Sequence, residues 1–158
     1  MKKMNFKVGM LALAGIGMCS LLLGCQSKQA LTAEDFKSKM EEKGYDLQDC
    51  TAQFEGYDFV EQVYVAIDEE GSYQIEFYDL SDDAHAKDFF NNNVQIFKEN
   101  KSGVNTNSSV SLGNYEKYTQ TDDDQFSMIS RIDDTAIYVV EEKENKETVE
   151  AVVKELGY

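Results

Sequence analysis

Three segments of the chain place apolar residues at the three- and four-residue spacing of an amphipathic helix. The first begins after Thr32, a residue type that caps helix N-termini, and ends at Gly44, which readily takes the left-handed conformation that closes a helix. The second runs from the acidic residues after Ser81 to about Asn100. The third carries Val149, Val152, Val153 and Leu156. We therefore predict three helices.

Between the predicted helices, apolar and polar residues alternate with the period of two that is typical of β-strands. Six strands are predicted in this way, at about 47–54, 63–67, 73–78, 114–121, 125–132 and 135–141. Short acidic turns join most consecutive strands. The mostly polar segment 101–109 is predicted to be a loop.

The order of these elements, α-βββ-α-βββ-α, predicts a single α+β domain over residues 31–158. Hairpin-length connections predict antiparallel pairing of about six strands, because parallel strands need longer crossovers. Strands that alternate between apolar and polar residues have one polar face, so the helices are expected to pack together on the other face. The repeated order also suggests two similar units, although their residues do not match convincingly.

The charge of the chain is unevenly distributed. All 30 acidic residues follow residue 24 and three lysines precede it, which leaves 12 basic against 30 acidic residues and a net charge of −18 in the remainder. Such a surface repels the phosphates of nucleic acids, so nucleic acid is excluded as a partner. It also repels anionic lipid headgroups, so attachment to a membrane would require an inserted or covalent anchor.

The first residues combine three lysines with an uncharged run over residues 8–24. Two interpretations compete, a membrane-spanning helix and the apolar part of a secretory signal. The run is at the short limit for crossing a hydrocarbon core of about 30 Å. Its glycines also disfavour a permanent helix, so the signal is the favoured interpretation.

The sequence Leu22-Leu23-Gly24-Cys25 resembles the lipobox of bacterial lipoproteins, although Leu23 is bulkier than the residue usual at its place. In that family the cysteine thiol receives a diacylglyceryl group, and a signal peptidase cleaves immediately before the cysteine. The resemblance implies a signal peptide over 1–24, cleavage between Gly24 and Cys25, and a lipid anchor on Cys25 followed by a short tether over 25–30. Two acyl chains give stable anchoring, so the protein is expected at the outer side of the cytoplasmic membrane.

Candidate catalytic groups are few. If Cys25 is acylated and Cys19 is removed with the signal, Cys50 is the only remaining thiol, and no intramolecular disulfide can form. Cys50 is expected to be buried as a small apolar residue, and the single histidine, His85, to be a solvated helix residue. A thiol-dependent enzyme that uses both is the least favoured alternative, because nothing in their spacing brings them together. No catalytic site and no cofactor are expected.

A cation site is a second alternative. Antiparallel return of the last predicted strand brings Glu141 and Glu142 to the end of the sheet where Asp122, Asp123 and Asp124 lie. Carboxylate oxygens are the ligands that Ca²⁺ prefers. Solvated turn carboxylates, which need no ligand, are the competing interpretation.

Three tyrosines, Tyr64, Tyr78 and Tyr118, alternate with polar residues and are expected to lie on the open face of the sheet. Tyrosine is enriched where proteins bind partners. The favoured function is therefore a non-catalytic module that binds a protein, a peptide or another envelope component through this face.

Overall fold

The computed structural model of the chain describes residues 27–158. The predicted signal peptide, its cleavage site after Gly24 and the predicted acylation site Cys25 lie outside the described residues. Within the described range, no helix is both long and apolar enough to cross a membrane.

The three predicted helices are present. They are α1 (Ala33–Glu42), α2 (Asp83–Glu99) and α3 (Lys146–Glu155). Thr32 and Asp35 form a capping box, in which the Asp35 backbone N–H donates to Thr32 Oγ1 over 3.0 Å. Asp82 caps α2 by accepting a hydrogen bond from the His85 backbone N–H over 2.8 Å. Gly44 has a φ of 85°, as its predicted role at the end of α1 requires.

The strands form one antiparallel sheet, which confirms the α+β class, but residues 27–158 contain seven strands rather than the six predicted. They are β1 (Asp46–Asp49), β2 (Val60–Ile67), β3 (Gln74–Leu80), β4 (Thr106–Leu112), β5 (Tyr115–Thr121), β6 (Gln125–Ile132) and β7 (Thr135–Glu142). Their spatial order is β1-β2-β3-β7-β6-β5-β4. Short 3-10 turns at Thr51–Phe54 and Lys143–Asn145 follow β1 and β7.

The predicted loop over 101–109 is wrong in its second half, because β4 pairs with β5 from Thr106 to Leu112. All seven residues of β4 are exposed, and β4 lies at the edge of the sheet. An exposed edge strand has little need of apolar side chains, since the backbone hydrogen bonds to β5 hold it in place. The predicted first strand is also too long, because residues 51–54 form a 3-10 turn.

Helices cover both faces of the sheet, so the prediction that they share one face is wrong. The ring of Phe77 in β3 stacks on Phe36 of α1 with 4.8 Å between centroids. The next residue, Tyr78, points to the opposite face and contacts Phe89 of α2 at 4.6 Å. Helices α1 and α3 thus cover one face, called here the α1/α3 face, and α2 covers the other, the α2 face.

Strand β6 is the strand whose burial differs most from the prediction. Seven of its eight residues are buried, and the polar ones include Ser127, Ser130 and Arg131. Polar residues on a strand normally indicate a solvated face. Here Arg131 is held under α2, where its guanidinium donates to Glu116 Oε2 and Asp83 Oδ1, each over 2.6 Å.

Candidate functional site

The three tyrosines proposed as a partner-binding face do not share an exposed surface. Tyr64 lies on the α1/α3 face and is partly buried against the core there. Tyr78 and Tyr118 lie on the α2 face, where they are only 6% and 3% exposed. The predicted open face is therefore wrong, because α2 covers it.

Cys50 and His85 occupy separate environments. Cys50 precedes the 3-10 turn and packs at the margin of the core on the α2 face. Burial raises the pKa of the Cys50 thiol, and the charges of Glu76 and Asp49 raise it further. A nucleophilic thiol needs the opposite shift, because the thiolate is the reactive form.

His85 lies in the first turn of α2 and stacks on Phe59, with 5.3 Å between ring centroids and 8° between planes. Its Nδ1 is 3.0 Å from both Ser81 Oγ and Asp82 Oδ2. These contacts fix the imidazole at the helix N-terminus. No hydrogen bond joins His85 to Cys50 among residues 27–158, so the structure does not assemble the predicted thiol-histidine pair.

The five carboxylates predicted to form a cation corner lie at one end of the sheet, as antiparallel pairing requires, but they divide between its two faces. Asp122 lies on the α2 face and is 4% exposed. Glu141 is opposite Phe126 on the α1/α3 face and accepts a hydrogen bond from the Gln74 backbone N–H over 2.7 Å. Asp123 and Asp124 are exposed in the turn, and Glu142 is exposed at the end of β7. In the described part of the chain, no three His, Cys, Asp or Glu side chains are placed to hold one metal ion.

An open groove of about 680 Å³ lies beside the 3-10 turn at Thr51–Phe54. It is called here the aromatic groove, and it is lined by Asp49, Thr51, Ala52, Phe54, Glu55, Tyr57, Asp58 and Val60. Phe54 and Tyr57 contact each other at 6.2 Å between centroids, and Tyr57 also meets Phe59 edge-on at 5.7 Å. The Tyr57 side chain is 55% exposed, so one large ring is available to a ligand.

The backbone of the aromatic groove is fixed by local hydrogen bonds. Thr51 accepts from the Val63 backbone N–H over 3.0 Å and thereby ties the turn to β2. The Tyr57 backbone N–H donates to the Phe54 carbonyl over 2.8 Å, and the Val60 N–H donates to the Tyr57 carbonyl over 2.9 Å. The groove is therefore preformed and needs little ordering when it binds a ligand.

All charged residues that line the aromatic groove are acidic, namely Asp49, Glu55 and Asp58. Hydrogen bonds from Thr51 lower the pKa of Asp49, because they stabilise its ionised form. An aromatic ring beside carboxylates is an environment that suits an organic cation, because the π-face and the charges attract it together.

The sequence pattern does not predict the aromatic groove, because it predicts a strand over 47–54 where the structure has a 3-10 turn. The available signal was the close succession of Phe54, Tyr57 and Phe59 with Glu55, Gly56 and Asp58. Aromatic residues interrupted by glycine and acidic residues do not favour a strand and indicate a surface turn. Comparison of the chain with protein-family models, curated proteins and solved structures finds no match.

Proposed function

We propose that this protein is a lipid-anchored, non-catalytic binding module at the outer side of the cytoplasmic membrane. In this proposal the aromatic groove binds a basic peptide segment of a partner protein. The observation that carries the binding role is the exposed Tyr57 ring beside three carboxylates in a preformed groove. The anchor rests on the lipobox-like sequence that ends at Cys25.

Charge complementarity supports a basic occupant. After residue 24 the chain carries 12 basic and 30 acidic residues, so its field attracts cations from every direction and speeds their encounter. This long-range attraction does not by itself determine where on the surface a basic ligand binds. The aromatic groove provides a specific binding position, because Tyr57 can contact the aliphatic stem and charged head of a lysine or arginine side chain.

The first described residues support a position close to the bilayer. The backbone of Lys28 pairs with the Asn114 side chain through two hydrogen bonds of 3.0 and 2.7 Å, and Lys28 Nζ lies 3.7 Å from the centre of the Tyr115 ring. Two residues separate Cys25 from Lys28, so the distance between their Cα atoms is at most about 11 Å. An acylated Cys25 would therefore hold this end of the sheet, the tether end, near the lipid surface.

The aromatic groove lies at the same end of the sheet. Val60 at its margin pairs with Leu80, whose backbone N–H donates to Asp134 in the turn between β6 and β7. Asp133 of that turn accepts a hydrogen bond from Asn114, the residue that holds Lys28. A ligand in the groove would therefore be bound near the membrane, which favours a segment of another membrane-associated protein.

The anchor is tested by replacing Cys25 with alanine in the full chain, expressed in a bacterium that processes lipoproteins. The wild-type protein is expected to lose residues 1–24 and to incorporate an alkyne-labelled fatty acid, both measured by intact mass. Cys25→Ala should keep residues 1–24 and incorporate no label. Cys19→Ala is the matched control and should behave like the wild type. A wild-type protein that keeps its first 24 residues without label would instead indicate a membrane-spanning anchor.

The aromatic groove is tested with fluorescein-labelled hexalysine, titrated against the full processed protein in neutral detergent micelles. Tyr57→Ala should weaken binding about 3- to 5-fold, as expected for loss of one exposed cation-π contact, while Tyr57→Phe should retain it. Asp58→Asn should weaken binding more than Asp124→Asn, which removes the same charge from an exposed turn at the other end of the sheet. Equal affinities for wild type, Tyr57→Ala and Asp58→Asn would show that hexalysine binds through the general field, and would overturn the role of the groove.

A further inference from the structure

A second concave site, separate from the aromatic groove, lies under the C-terminal end of α2. It is a cavity of about 100 Å³, called here the α2 cavity. Its polar lining comes from Asn100 at the C-cap of α2, from Gln120 of β5 and Asp122 of the following turn, from Gln125 and Ser127 of β6, and from Tyr138 of β7. A water molecule occupies about 30 Å³ of liquid. The cavity can therefore hold an ion with a few waters, but no larger organic ligand.

Asp122 is the only charged residue that lines the α2 cavity. Its side chain is 4% exposed, and Oδ2 accepts a hydrogen bond from the Ser102 backbone N–H over 3.1 Å. The other oxygen, Oδ1, is buried and has no hydrogen-bond partner in the described part of the chain. No lysine or arginine of residues 27–158 forms an ion pair with Asp122. Burial of a carboxylate without a compensating charge is unfavourable.

The other groups around the α2 cavity also favour a cation. The carbonyl end of α2 carries the negative end of the helix dipole, which attracts positive charge. Gln120 Nε2 already donates to the Phe97 carbonyl over 2.8 Å, and Gln120 Oε1 accepts from Tyr118. Asn100, Gln125, Ser127 and Tyr138 also line the cavity, and each has a neutral oxygen in its side chain. One carboxylate among neutral oxygens matches one positive charge, whereas Ca²⁺ sites draw on several carboxylates and six to eight oxygen ligands.

We propose that the α2 cavity binds one small monovalent cation, of the size of Na⁺ or K⁺, with Asp122 as its anionic ligand. The ion neutralises the buried carboxylate and links the C-terminal end of α2 to the turn between β5 and β6. The cation is structural, because the cavity is too small to admit a substrate beside it. This site is independent of the aromatic groove and of the basic peptide proposed for it.

The test is the melting temperature of the processed protein in 0.15 M NaCl, KCl or tetramethylammonium chloride, since the last cation is too large for the cavity. Binding to the folded state alone raises the melting temperature, and an ion at about ten times its dissociation constant gives a rise of about 3–6 °C in a domain of this size. Na⁺ or K⁺ should raise the melting temperature of the wild type by this amount relative to tetramethylammonium. The difference between NaCl and KCl identifies the preferred ion.

Asp122→Asn should remove the difference between the salts, because asparagine keeps the shape of the side chain and loses its charge. Asp124→Asn, in the same turn but exposed, should keep the difference.

If Asp122→Asn does not fold, the linewidth of the ²³Na resonance, measured with the wild-type protein, tests whether the ion binds. Excess protein should broaden the line, and K⁺ should reverse the broadening. Equal melting temperatures in all three salts with no broadening, or a salt effect that survives in Asp122→Asn, would overturn the proposal. Stabilisation by Ca²⁺ alone would overturn the monovalent assignment.

Discussion

Replacing Phe77 with alanine should lower the free energy of unfolding by about 4 kcal/mol. Phe77 is fully buried in the middle of the sheet, and its ring stacks on Phe36, which is also fully buried. The pair joins β3 to α1 and lies in the core cluster of the α1/α3 face. Truncation removes the apolar contacts of a whole ring and leaves a cavity that the neighbouring strands cannot close.

Urea unfolding followed by circular dichroism measures this effect. The midpoint should fall while the slope against urea stays unchanged, because the variant buries nearly the same total surface. Phe77→Leu should lose much less stability than Phe77→Ala, since leucine refills most of the space. Val110→Ala on the exposed edge strand β4 is the control and should change stability by less than about 0.5 kcal/mol. A loss below about 1 kcal/mol for Phe77→Ala would contradict the packing described for this face.

The helices could be predicted from the sequence because their signals are local. Thr32 and Asp35 lie three residues apart and cap α1 within the same turn of chain. Gly44 ends that helix through its own backbone conformation. None of these interactions depends on a distant part of the fold, so the sequence pattern and the structure agree.

The sheet could be predicted only in part, because its organisation depends on distant contacts. Strand β4 has no buried face and is held by pairing with β5, so its strand conformation depends on a neighbouring strand rather than on its own apolar pattern. The sequence does not reveal that α2 covers the second face of the sheet. Ser127 and Arg131 lie on that face, and their polar side chains indicate a face exposed to solvent, although both are buried. Buried polar side chains that find partners in the tertiary structure imitate exposed ones in the sequence.

The candidate sites show the same limitation. The sequence correctly placed Asp122 and Glu141 at one end of the sheet, but the alternation of the paired strands sends their side chains to opposite faces. The burial of Asp122 requires the end of α2 and the loop at Ser102 above it, neither of which is close in sequence. The aromatic groove depends on a 3-10 turn where alternation predicted a strand.

Arg131 provides the second large effect, because it is the only arginine of the chain and its side chain is 1% exposed. Its guanidinium connects Glu116 of β5 with Asp83 in the first turn of α2, and Nη1 also donates to the Asp133 carbonyl over 3.1 Å. Arg131→Met should lower the free energy of unfolding by about 3 kcal/mol. The loss arises because methionine fills much of the space but leaves the partly buried carboxylate of Glu116 without its partner.

Urea unfolding of two further sets of variants distinguishes the effect of removing the buried charge of Arg131 from the effect of removing its packing contacts. Lys87→Met is the matched control, since Lys87 pairs with the same Asp83 at 3.1 Å but is half exposed, and it should lose less than about 1 kcal/mol. Arg131→Met combined with Glu116→Gln should lose clearly less than the sum of the two single variants, because the double change removes both members of the ion pair. Additive losses would mean that the Arg131–Glu116 pair contributes no coupling, and that Arg131 stabilises the fold through its packing under α2 and its contacts with Asp83 and the Asp133 carbonyl.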